Sequence, residues 1–282
     1  MKDESGGFWE WVIPIAFILC ASWVIWHIPA FILDFLPPKE ESLFAQISSL
    51  HSRKDVTPDM AGLFGGFADA IDWAAFLLMP ILFYLGTRTI RVAPMEFQDW
   101  RPIDRIALFF GRITMLLIIS MTCVMLYEVF LRYAVEQPTL WANELTLWIA
   151  GFIFLISGVY AMQQRCHIRI FLLYDAVPRW VQHIFDTIWV FLLAVFAFAL
   201  VFGSYKQVFV VKFYKWEMWG TAFDPPIPAT IQPMILIMVV LIAIQAIINL
   251  IADWNTEPVV HTAADDIDEQ ELAAIKRSAG VE

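Results

Sequence analysis

The sequence predicts an all-α, polytopic helical membrane protein, and three observations lead there. Of its 282 residues, 60% are hydrophobic and only 16% charged, whereas a soluble domain carries about 25% charged and 45–50% apolar residues. The apolar residues gather into six segments, each close to the roughly 20 residues that cross roughly 30 Å of hydrocarbon. The arginines cluster in alternate loops, as in chains that insert with their positive flanks inside.

The same composition removes other classes. Disorder needs low hydrophobicity, a disulfide scaffold needs dense cysteine, and nucleic-acid binding is usually announced by excess base. Here the formal charge is −10, of which residues 253–282 contribute −6, so acidity is chiefly a property of the tail. Cys20, Cys123 and Cys166 lack metal-like spacing and read as small packing residues. At the N-terminus Lys2 is offset by Asp3 and Glu4, with no small-residue cleavage site after a basic region. An uncleaved first span is therefore expected.

Taken in order, the first span runs from about Phe8 to Leu33, with Trp9 and Trp11 placed as interfacial anchors. The second, about Leu63 to Gly86, carries Asp69 and Asp72 in its first half and Pro80 inside, which predicts a short, tilted, kinked or partly interfacial helix. The third extends from about Ile106 to Ala134 and the fourth from about Trp141 to Gln163. The fifth covers about Val181 to Val211 and the sixth about Ile231 to Ala252. Between the first two, Leu43, Phe44, Ile47 and Leu50 recur at helical spacing. That spacing fits a short surface helix and equally a solvated loop with one amphipathic turn.

Arg88, Arg91, Arg101 and Arg105 follow span two, and Arg165, Arg169 and Arg179 follow span four, while the loop after span three has no Lys or Arg. Both termini are thus expected in the cytoplasm. Lys212 and Lys215 after span five, and Lys39, Arg53 and Lys54 after span one, oppose this mildly.

Catalytic chemistry finds no support. His27, His51, His167, His183 and His261 do not converge at one depth, as haem or metal ligation requires, and they read as exposed polar groups. Phosphate loops, zinc-protease helices and nucleophile elbows are not visible. No span has the Gly/Pro-broken centre of a midplane substrate site. The expectation is a protein without cofactor, metal or enzymatic activity.

The informative polar groups border spans three and four, where ionisable residues are costly and face protein, water or headgroups. Glu128 and Arg132 are four apart and share a helical face. Trp141, Glu144, Trp148, Gly151, Leu155, Gly158 and Met162 then alternate by three and four, forming one seam. An acid, indoles and glycines suit helix contact better than lipid, either within the chain or on another subunit. Arg132 and Glu144 are expected to approach across the short outer loop. Gln163, Gln164, Arg165, His167 and Arg169 make a basic collar suited to headgroups or a protein contact. Before span six, Trp216, Trp219 and Phe223 mix with Pro225, Pro226 and Pro228, as expected of a segment on the outer membrane surface.

An Arg-Tyr at 132 and 133 closes one span; Trp141 is followed three residues on by Glu144, Gly151 lies within the next span and Ala161 near its end, and His167-Ile168-Arg169 and Pro178 follow. This stretch resembles the small membrane subunit of tripartite ATP-independent periplasmic (TRAP) transporters, the DctQ-like family. Phe171 stands where that family commonly has an acid. The resemblance implies a four-helix small-permease-like domain over 106–252, flanked by an N-terminal extension over 1–105 and an acidic cytoplasmic tail over 253–282. It also implies a bacterial inner-membrane subunit that scaffolds a large membrane subunit and helps dock a periplasmic substrate-binding protein. Uptake of organic acids would be secondary-active and usually sodium-coupled, with the transport site outside this chain. Arg132, Tyr133, Trp141, Glu144, Trp148, Gly151, Gly158, Ala161, His167 and Arg169 are the candidate subunit-interface or motif residues, and Trp216 and Trp219 the candidates for binding-protein docking. Membrane lipids are further expected partners; nucleic acid is not. A membrane anchor for a redox enzyme and an autonomous six-span carrier are the competing readings.

Overall fold

The computed structural model describes residues 7–35, 68–91, 93, 101–165, 174 and 177–255. Among them are seven α-helices and no strand: α1 (Phe8–Trp26), α2 (Ile28–Phe35), α3 (Ala70–Thr89), α4 (Arg105–Phe130), α5 (Ala142–Gln163), α6 (Arg179–Tyr205) and α7 (Ile227–Asp253). Six helical runs are long and apolar enough to cross a membrane: Phe8–Trp26, Ala70–Thr89, Pro102–Val135, Ala142–Gln163, Arg179–Phe213 and Ile227–Asp253. The predicted surface helix over 43–50 and the tail from 256 onward lie outside the described residues.

Local sequence explains most of the boundaries. The first span stops at Trp26, short of the predicted Leu33, because Pro29 has no N–H to continue the ladder. His27 closes α1 with its N–H shared between the Trp23 and Val24 carbonyls, each at 3.1 Å, and α2 begins at Ile28. The start of α3 is fixed by a reciprocal cap. Asp69 accepts from the amides of Ile71 and Asp72, and the Asp72 carboxylate accepts from the Asp69 amide at 3.0 Å. Ahead of α4, Pro102–Asp104 forms a 3₁₀ turn in which Asp104 accepts from the Arg101 amide at 2.8 Å. Both α4 and α6 widen into π turns at their far ends, Leu131–Val135 and Lys206–Phe213.

The end of the bundle that holds the α4–α5 loop is termed outer, following the predicted orientation. α4 packs on α5, α5 on α7, and α7 on α6, while α1 and α3 pack on each other and on α4. Ala107, Leu108, Phe109 and Ile113 of α4, Ile156 and Val159 of α5 and Met238 of α7 are buried together as the largest core. Gly86 lets α3 approach α4: a Cβ there would stand 2.1 Å from the Phe109 ring. A second, outer cluster joins Ile32 of α2 to Trp216 and to Ala229 of α7.

Polar groups stitch these helices where apolar packing alone would leave orientation open. Near the inner end, Glu10 of α1 accepts from Arg112 Nε of α4 at 3.2 Å, with both side chains 5% exposed. Arg112 also donates to the Arg91 carbonyl at 3.0 Å and lies over the Trp11 ring. Near the outer end, Asp72 is fully buried and accepts from the Trp23 indole N–H at 2.8 Å. His27 Nδ1 donates to the Trp23 carbonyl at 2.7 Å and stands 3.7 Å from Asp72. His27 is therefore buried in this cluster rather than exposed as the sequence suggests, because the helix break turns its ring back onto α1.

Removing one member of a buried ion pair strands the other charge, a loss of about 3 kcal/mol or more. Glu10→Ala should therefore lower unfolding stability in detergent by about 3 kcal/mol, and Glu10→Gln, which keeps an acceptor for Arg112, should lose less. Thermal unfolding of the purified full-length variants checks the order.

Candidate functional site

The residues singled out in sequence fall into an outer collar and a seam below it. At the collar, α4 ends with Glu128, which is almost completely buried and carries the contacts that shape the α4–α5 loop. Arg132 Nη2 donates to it at 2.7 Å, the Thr139 amide donates at 3.0 Å, and the Thr139 hydroxyl donates to the same carboxylate. The i,i+4 spacing of Glu128 and Arg132 thus becomes a real pair. Glu136 adopts φ 59° just after the π turn, which bends the chain back towards α5. Tyr133 projects outward and is 79% exposed. Trp141 begins α5 with its ring 6.2 Å from that of Tyr127.

Glu144 lies in the first turn of α5, where a carboxylate also suits the positive end of the helix. It accepts from the Thr221 hydroxyl at 2.6 Å and from the Asp224 amide at 3.2 Å, both in the segment leading into α7. Arg132 and Glu144 therefore make separate hydrogen bonds, Arg132 to Glu128 and Glu144 to Thr221 and Asp224. The reason is reach: Glu128 is one helical turn from Arg132 on the same face, and the α7 lead-in lies directly over the start of α5.

Below the collar, the seam of α5 packs within the chain against α7. Trp148 is buried and donates from its indole N–H to Thr230 Oγ1 at 2.8 Å, while the Thr230 hydroxyl donates to the Pro226 carbonyl at 2.6 Å. Trp26 of α1 closes over Trp148 at 5.8 Å between ring centroids. A Cβ on Gly151 would meet Ile231 Cδ1 at 2.8 Å, and one on Gly158 would meet Ile242 Cδ1 at 2.9 Å, so both glycines mark close helix approach. Leu155 borders the main core, and Met162 is buried beside Ala246. Ala161, near the inner end, is half-buried. His167 and Arg169 lie outside the described residues.

The two tryptophans expected at a docking surface part company. Trp216 is 5% exposed, inserted between Ile32 and Ala229, because its φ of 51° turns the side chain inward beneath α2. Trp219 is 46% exposed. At the inner end, Arg165 forms a two-pronged pair with Asp253 at 2.8 and 2.7 Å, and Arg179 donates to the Asp253 carbonyl at 3.0 Å. Gln245 of α7 donates to Asp104 at 2.9 Å, and Asn249 donates to the Met162 carbonyl at 2.7 Å. The partners Thr221, Asp224, Thr230 and Gln245 are polar residues in or beside an apolar span, a signal visible in sequence without its contacts. Among the described residues no group of His, Cys, Asp and Glu is arranged to hold a metal.

Residues 121–256, a segment that contains the collar, the seam and both tryptophans, match the family model of Tripartite ATP-independent periplasmic transporters, DctQ component. This region is a DctQ-like TRAP small-permease subunit. No curated protein and no solved structure matches the chain. At the level of the family, the DctQ component is a multi-pass membrane part of a transporter rather than an enzyme, and it works with the other TRAP components. The DctQ match begins inside α4, so α1 to α3 and the inner half of α4 lie outside it.

A seam this close should resist enlargement at one glycine and not at another. Gly151→Leu is expected to cost about 1–3 kcal/mol by prying α5 from α7. Gly203→Leu, where a Cβ meets nothing within 4 Å, should leave stability unchanged or raise it. Detergent unfolding midpoints of the two variants provide the measurement.

Proposed function

We propose that the protein is the small inner-membrane subunit of a sodium-coupled, secondary-active TRAP transporter for organic-acid uptake. The observation that carries this reading is the DctQ match over residues 121–256. A larger membrane subunit holds solute and ions, and a periplasmic binding protein delivers the solute. Both termini face the cytoplasm, as the arginine-rich loops after the second and fourth spans require. The chain divides into an N-terminal extension (1–105), a four-helix membrane domain (106–252) and an acidic tail (253–282).

Its own part is mechanical. The polar side chains that cross between helices are occupied in holding α4, α5 and α7 together: Trp148 on Thr230 and Gln245 on Asp104. A rigid bundle of this kind enlarges the immobile half of a transporter whose other subunit moves. The apolar faces left outward, with Ile118, Leu126 and Phe130 on α4 and Phe191, Phe198 and Phe202 on α6, are where lipid and the larger subunit meet it. Arg132, Tyr133, Trp141 and Trp219 belong to the outer surface that receives the binding protein.

Tagged protein purified from native membranes should bring down a large permease subunit. In proteoliposomes, uptake of carboxylates or sulfonates should require both membrane subunits, a binding protein and an inward sodium gradient. Solute uptake by this chain alone, or its isolation with a redox enzyme, would overturn the proposal.

A further inference from the structure

The segment between α6 and α7 is held in a shape that its own sequence does not favour. Trp216, Gly220 and Asp224 take φ of 51°, 82° and 55°. Gly220 adopts the left-handed region without steric cost and aspartate enters it with a local hydrogen bond, but a tryptophan is kept there only by its surroundings. Those surroundings are visible. Trp216 is inserted between α2 and α7, and Lys212 pairs with Glu217 beside it. Asp224 is gripped through its backbone: its amide donates to Glu144, while its own carboxylate accepts from the Gly220 amide at 2.5 Å. Glu144 accepts in addition from the Thr221 hydroxyl, and Phe223 stacks on Trp26 of α1 at 6.2 Å. What this framework leaves outward is a short tip, Trp219 to Ala222, all exposed.

We propose that Glu144 is a positioning residue for the outer contact with the binding protein: it holds the strained turn from Trp216 to Asp224 in the form that presents Trp219, with α1 and α2 as its buttress. This rests on the reading that a binding protein docks at the outer end. A carboxylate is suited to the task because one oxygen receives an amide and a hydroxyl at once, and bonds to a charged acceptor are about twice as strong as neutral ones. The turn is thereby shaped before the partner arrives, and less ordering is left to be done on binding. The N-terminal helices, which lie outside the family match, take part through Trp26 and Ile32.

The test uses the full-length chain with its large subunit in proteoliposomes, titrated with solute-loaded binding protein. Glu144→Ala should raise the binding-protein concentration for half-maximal uptake roughly tenfold, while uptake at saturation changes less than about twofold. Glu144→Gln, which keeps an acceptor, should recover most of the loss. Thr221→Val approaches the same bond from the loop side and should shift half-saturation in the same direction by roughly threefold. It keeps the question open to refutation if Glu144→Ala fails to assemble. Hydrogen exchange at the Asp224 amide should quicken in Glu144→Ala. Unchanged half-saturation in Glu144→Ala and Thr221→Val, or a fall in saturated uptake alone, overturns the positioning role. Wild-type uptake that does not depend on a binding protein overturns the docking reading on which it rests.

Discussion

A carboxylate and a guanidinium that are each 5% exposed are tolerated at a bilayer boundary only if they face one another, and Glu10 and Arg112 do so at 3.2 Å. Water cannot compensate for a misplaced partner at such a site, so the requirement for internal pairing governs how the helices meet. Apolar side chains are nearly indifferent to whether their neighbour is lipid or protein; polar ones are not. The Glu10–Arg112 pair sets the register of α1 on α4, Asp72 with Trp23 and His27 sets α1 on α3, and Asp104 with Gln245 ties the foot of α4 to α7. The core then fills the space these contacts define.

The helices were largely legible in the sequence because hydrocarbon demands long uncharged runs, and such runs leave a composition that survives without knowledge of contacts. Their ends were less so. The break at His27 falls inside a continuous apolar stretch, where only Pro29 hints at it. The site shows the same division. Glu128 and Arg132 are one turn apart, and their pairing follows from helical geometry. The seam through Trp148, Gly151 and Gly158 could be drawn from spacing, yet its partner, α7, lies some 80 residues away and carries no matching pattern. Glu144 was recognisable as important, but its partners Thr221 and Asp224 were not, since a carboxylate near a membrane surface has several donors within reach and sequence does not rank them. Trp216 looked like its neighbour Trp219 until the left-handed backbone separated them.

The boundary of the DctQ match cuts across the structure in an instructive way. It starts partway along α4, but the Gln245–Asp104 hydrogen bond and the outer cluster cross that line. The N-terminal helices are thus bonded into the same bundle, and they add to its outer rim through Trp26, which reaches both Trp148 and Phe223. An extension attached only by a tether would leave Glu10 without Arg112, its partner on α4.

The helical runs also differ greatly in length. Phe8–Trp26 and Ala70–Thr89 have 19 and 20 residues, against 34 and 35 for Pro102–Val135 and Arg179–Phe213. At about 1.5 Å per residue the first two reach about 30 Å and the others about 50 Å. Upright, the short pair matches the hydrocarbon thickness, whereas the long ones must lean or carry their ends into the headgroups. Around one perimeter the membrane therefore meets two hydrophobic heights. Lipids beside α1 and α3 and lipids beside α6 experience different mismatch, which makes bilayer thickness a variable that acts on the tilt of the whole bundle.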